Sequence, residues 1–163
     1  MKASFEGISA RSQATYQVYL TLHAARRAFQ NKTLRTVFTE MMYAEPFAWR
    51  VVGITTAALA AYAEAGHRPI KGVERAHLID RAKMVAHVFE RDEPLTESEL
   101  FAYWRDNDRV IVALRQENRT SDLGNWTPFE NADAEYFTRL GIGFQYRPAV
   151  EGVLTKRLYA ARL

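Results

Sequence analysis

The sequence predicts a mainly helical fold with a small β component, an α+β architecture in a single domain spanning residues 1–163. Three observations predict it. Apolar residues recur at helical spacing through residues 1–66, an N-terminal helical platform. Beyond Gly66 the character changes, and short β-branched runs appear around Val73 and from Val110 to Leu114. Capping and turn residues punctuate both parts, with no repeat and no low-complexity linker between 1–66 and the mixed part over 67–163.

The elements follow in order. A first helix is expected from Ser12 to Phe29, with Tyr16, Tyr19, Leu20, His23 and Arg27 on one stripe. Asn31-Lys32 breaks it, and Thr33 is the expected N-cap of a second helix carrying Leu34, Val37, Phe38, Met41 and Met42. Pro46 fits the first position of a third helix, whose stripe is Phe47, Val51, Ile54, Ala58 and Ala61, closed by Gly66 as C′ residue. An extended segment is expected over Val73–His77 and a helix over Asp80–Glu90. Thr96 and Glu99 form a capping box before Leu100, Tyr103 and Trp104. Asn107-Asp108-Arg109 is a turn signal, Val110–Leu114 a strand, and Thr120–Asn125 a loop. A helix over Asn131–Leu140, a strand over Ile142–Tyr146 and a last helix over Ala149–Ala161 complete the chain. Strands are confined to 70–78, 109–115 and 142–147, and Leu34, Phe38, Met41, Val51, Ile54, Val112 and Leu114 are the expected core.

Composition narrows the function classes. Apolar residues make up 48% and charged residues 25% of 163, which suits a globular domain with a real core. Cysteine is absent, which excludes a disulfide scaffold, a thiolate metal site and a cysteine nucleophile. The first residues carry no apolar signal segment and the longest apolar run is interrupted by Arg50, so a cytoplasmic protein with no membrane partner is expected. Net charge is +3 and most of the basic residues are arginine, the side chain that grips phosphate bidentately. There is no Gly-rich phosphate loop after a strand and no Gly-x-Ser-x-Gly elbow. His67, His77 and His87 fall at intervals that match neither helix nor strand facing, so they form no metal triad.

Three polar groups flank the expected strands: Glu74 to Arg81, Asn107-Asp108, and Glu117-Asn118-Arg119. Phosphodiester hydrolysis needs an activated water, for which a neutral imidazole with a pKa near ~6.5 is a suitable base. It also needs a cation at the scissile phosphate, and Asn and Asp oxygens are hard ligands suited to Mg²⁺.

The segments Ala76-His77-Leu78-Ile79-Asp80-Arg81 and Asn107 to Arg119 resemble the HNH nucleases, a family with the ββα-metal fold; the resemblance covers residues 73–122. It implies a catalytic set of His77 as general base with Asn107 or Asp108 orienting it. It implies Asn118 as metal ligand, with Glu74, Asp80 or Glu117 recruited because Ala76 stands where the family usually has an acidic residue or His. Arg81, Arg115 and Arg119 would clamp phosphates, and the cofactor would be Mg²⁺ or Mn²⁺. The chain departs from the family's pattern in lacking proline after Ile79 and zinc-knuckle cysteines, and in placing Asn107 30 residues after His77. Two function classes follow. One is a small metal-dependent nucleic-acid hydrolase or a degenerate relative of one. The other is a non-enzymatic helical module that binds a protein partner or nucleic acid through a basic surface.

Overall fold

A computed structural model describes residues 10–43, 45, 48–120, 122–130, 137 and 146–162. Of these, 56% are helical and 15% extended, an α+β fold dominated by helix. By contact the chain divides into two compact units, each made of two separate segments: Met1–Ala48 with Ile79–Asp108, and Trp49–Leu78 with Arg109–Leu163.

The first unit is helical. Its elements are α1 (Ala10–Ala24), a 3₁₀ turn (Arg26–Ala28), α2 (Asn31–Met42), α4 (Arg81–Phe89) and α5 (Glu97–Asn107). Its core is aromatic: Tyr19, Phe38, Phe89 and Trp104 are buried with Leu34, Met42, Met84, Val88 and Leu100. Phe38 meets Phe89 edge-on at 5.2 Å and Trp104 edge-on at 5.0 Å, the geometry that the ring quadrupole favours. Burying Tyr19 requires partners for its hydroxyl. That hydroxyl donates to the Val88 carbonyl at 3.3 Å and accepts from the Leu95 amide at 2.9 Å. The capping box forms as the sequence predicts: Glu99 accepts from the Thr96 amide at 2.8 Å, and the Thr96 hydroxyl accepts from the Glu99 amide. Asp80 caps α4 by accepting from the Ala82 amide at 2.6 Å.

The second unit holds β1 (Arg50–Thr55), α3 (Thr56–Glu64), β2 (Val73–His77), β3 (Arg109–Leu114), α6 (Arg115–Thr120), β4 (Trp126–Pro128) and α7 (Glu151–Ala160). The strands form one mixed sheet in the order β2-β3-β1-β4. β3 runs parallel to β1 and antiparallel to β2, and β4 is antiparallel to β1. Side chains alternate between its faces. Val73, Val110 and Val112 face one core, with Ala58, Leu59 and Tyr62 of α3 and Leu154 of α7. Ala76, Ile111 and Ala113 face the other, with Val52, Leu123 and Trp126.

The largest departure from expectation is β1. A third helix is predicted from Pro46 through Ala61, but residues 50–55 are a strand and α3 starts at Thr56; Pro46 and Phe47 lie outside the described residues. Val51, Val52, Ile54 and Thr55 are β-branched, and both faces of the sheet are packed, Val51 and Ile54 against one core and Val52 against the other, so the run shows no alternation. Gly66, with φ of 63°, follows α3 as predicted. β4 was not among the expected strands, because three residues carry too short a pattern. Helix α1 ends at Ala24 rather than Phe29, giving way to the 3₁₀ turn. Helix α2 begins at Asn31, with the Gln30 carbonyl accepting from Thr33 and Leu34 amides, so Thr33 lies inside the helix and is not its cap. The helix expected over 131–140 falls outside the described residues except Phe137, and so do residues 142–145 of the last expected strand. Leu34, Phe38, Val51, Ile54 and Val112 are buried, whereas Met41 and Leu114 are half-buried at the edges of their cores. Among the described residues no helix is long and apolar enough to cross a membrane.

Gly53 fixes how β4 approaches β1. A Cβ there would meet the Thr127 carbonyl oxygen at 2.6 Å and crowd the Trp126 ring, contacts no real side chain tolerates. Gly53→Ala should therefore cost about 1–3 kcal/mol, as overpacking does. An unchanged denaturant midpoint would contradict the β1–β4 register.

Candidate functional site

The predicted site residues separate into small groups. On β2, His77 pairs with Val110 and Arg75 with Val112, whereas Glu74 pairs with Ala113 and Ala76 with Ile111. Residues directly opposite share a face, so His77 and Glu74 lie on opposite faces of the sheet. The His77 ring stands edge-on to Trp49 at 4.4 Å, and the Arg75 guanidinium lies over the same indole at 4.9 Å. Trp49 itself has a φ of 56°, a strained left-handed conformation for a bulky residue.

Glu74 heads the second group. Its Oε1 accepts from Arg115 Nε at 2.6 Å and its Oε2 from Asn118 Nδ2 at 3.0 Å. The hydrogen bond from Asn118 and then that from Arg115 hold the carboxyl below its ordinary range, with a smaller contribution from the Arg119 charge. The structure thus brings Glu74, Asn118 and Arg115 together, with Arg119 nearby, but places His77 three residues along the strand, roughly 10 Å on, and on the other face. Both Glu74 oxygens are engaged by N–H donors, one of them on the cationic Arg115 guanidinium, whose charge opposes a divalent ion there. The donor set is therefore a poor fit to Mg²⁺. Among the described residues no three of His, Asp and Glu converge on a point that would hold a metal ion.

The remaining predicted residues terminate elements. Asp108 is fully buried and accepts from Trp104 Nε1 at 3.1 Å and from Arg81 Nη2 at 3.2 Å. Asn107 Nδ2 donates to the Tyr103 carbonyl at 2.7 Å on its own helix. Asp80 is the α4 cap already described. Glu117 Oε2 accepts from the Leu114 amide and from the Thr55 hydroxyl, both at 2.8 Å, while the Thr55 oxygen caps α3 by accepting from Ala58.

A different site was not predicted. In the helical unit a cleft of about 560 Å³ opens between the 26–35 stretch and α4. Arg26, Arg27, Lys32 and Arg35 line it, opposed among the described residues by Glu90 and Asp92, and Phe29, Ala82 and Ala86 supply accessible apolar surface over the buried Leu34, Val85 and Phe89. Arg26 is held in place, donating through Nη1 to the His23 carbonyl at 2.9 Å. His23 is 3% exposed; burial, and then the Arg26 charge, push its pKa down, so the ring beside this cationic cluster favours its neutral form. The first turn of α2 borders the cleft with no side-chain cap, and its N-terminal amides add positive potential. The sequence signal was available as four cations within ten residues. What it lacked was the second wall, since Ala82 to Asp92 come from a distant segment.

If Asn118 and Arg115 hold Glu74 ionised, the folded state is stabilised above its unperturbed pKa of about 4.5 and loses that stabilisation as pH falls through the lowered folded value. Glu74→Gln should flatten this acid limb of the melting temperature. A limb identical to that of the wild type would show that the bonds carry no stability. No family model, curated protein or solved structure matches the chain.

Proposed function

We propose that this protein binds nucleic acid through the basic cleft of its helical unit, as a binding module. The observation that carries this is the concentration of Arg26, Arg27, Lys32 and Arg35 around one concave surface, against two carboxylates. A net charge of +3 over the whole chain gives little attraction, but these cations share one cleft with the N-terminus of α2. Phosphates neutralised there release condensed counterions, which drives binding and makes it salt-dependent. Helix N-termini favour the same ligand.

A metal-dependent hydrolase is the second reading. It is favoured by the antiparallel pairing of β2 with β3 and by α6 following β3 directly, a ββα arrangement interrupted by α4 and α5, with His77 at the end of its first strand. Weighing against it are the opposite facing of His77 and Glu74, to which Asn118 donates, and the engagement of Glu74 by Arg115.

Fluorescence anisotropy with a labelled oligonucleotide tests both. Arg27, Lys32 and Arg35 are exposed, so Arg27→Glu, Lys32→Glu and Arg35→Glu together should leave the melting temperature nearly unchanged. Affinity should fall by more than about tenfold, and the log–log salt slope should become shallower by about 2. Unchanged affinity and slope would refute the cleft as the binding surface. The same samples with Mg²⁺ or Mn²⁺ should show no strand cleavage; cleavage that His77→Ala abolishes would establish the hydrolase instead.

A further inference from the structure

We infer that the ligand of this cleft is single-stranded, with its phosphates on Arg27, Lys32 and Arg35 and a base stacked on Phe29; this rests on the nucleic-acid reading above. Phe29 lies between the 3₁₀ turn and α2, borders the cleft, and is 45% exposed. A large aromatic left out of the core beside arginines is the arrangement of a stacking platform, where the π-face accepts any base and the cations track the backbone.

The shape and chemistry of the cleft point the same way. A duplex presents a convex, charged backbone and keeps its base faces stacked inside, so it has nothing to set against the accessible apolar surface of Phe29, Ala82 and Ala86. An unstacked base does. The volume of about 560 Å³ lies in the range of sites that enclose small ligands rather than that of a flat contact. Glu90 and Asp92 add a second selection. They repel an unbroken run of phosphates but accept hydrogen bonds from the amino group of an exposed base edge, as cytosine presents through its N4. A ligand that alternates anion and base satisfies both sides; polyphosphate satisfies only one.

The test compares four probes by anisotropy or competition at fixed salt and neutral pH: oligo(dC) and oligo(rC) of about 12 nucleotides, a length suited to a single-strand site, a duplex of the same length, and inorganic polyphosphate. The single strands should bind at least about tenfold more tightly than the duplex. Phe29→Leu should weaken the single strands at least about fivefold and leave polyphosphate unchanged, because a stacked base is worth that much. The difference between oligo(dC) and oligo(rC), which share one base, says which sugar is preferred, and either preference supports the inference. Equal binding of duplex and single strand with no effect of Phe29→Leu would overturn it while leaving nucleic-acid binding intact. Failure of every probe to bind would overturn the nucleic-acid reading itself. Phe29 is exposed, and an unchanged melting temperature for Phe29→Leu confirms that the comparison is between folded proteins.

Discussion

The helical unit depends on a carboxylate with no exposed surface. Asp108 ends α5, where the helix dipole is negative and a second negative charge is unfavourable. It is tolerable there because Arg81, only 11% exposed, and the Trp104 indole N–H both donate to it. Net stabilisation from such a buried pair is small, but removing one member leaves a buried charge uncompensated and costs about 3–5 kcal/mol. The pair also has a topological consequence. Arg81 is the first residue of α4 and Asp108 the residue after α5, so the bond joins the two ends of the 79–108 segment. That segment then presents Met84, Val88, Phe89, Leu100 and Trp104 as one surface against Tyr19, Phe38 and Met42. The cleft inherits this arrangement, since one wall comes from residues 26–35 and the other from α4 and the residues after it.

Much of this was legible locally. The capping box at Thr96, the helix starting at Asp80, the strand Val73–His77 and the glycine after α3 follow from residue types at fixed offsets, and each appears where its chemistry requires. The strand β1 was not legible, because its apolar run continues into the alanine-rich α3 and a helical stripe fits both. Only pairing with β3 on one edge and β4 on the other decides it, and those partners lie far along the chain. Likewise Thr33 looked like a cap from its identity, but the extended Gln30 backbone and its carbonyl start α2 earlier.

The polar residues of the candidate site show the same limit. Glu74, His77, Asp108 and Asn118 stood out in the sequence, and each makes a defined contact. Their grouping depended on the sheet's two-residue period. A separation of three along one strand already places Glu74 and His77 on opposite faces, a fact contained in the sequence once Val73–His77 is a strand. The cleft is the converse case: its cations were visible, but net charge averaged them away and its second wall is a tertiary product.

Native-state hydrogen exchange on wild type and Asp108→Asn tests the dependence on this carboxylate most directly. The substitution keeps the side-chain shape and removes the charge that Arg81 compensates. If the buried pair ties both segments into one cooperative unit, the slowest amides of α1, α2, α4 and α5 share one opening free energy, and Asp108→Asn lowers all of them together by about 3–5 kcal/mol. Loss of protection confined to α4 and α5, with α1 and α2 unchanged, would contradict it.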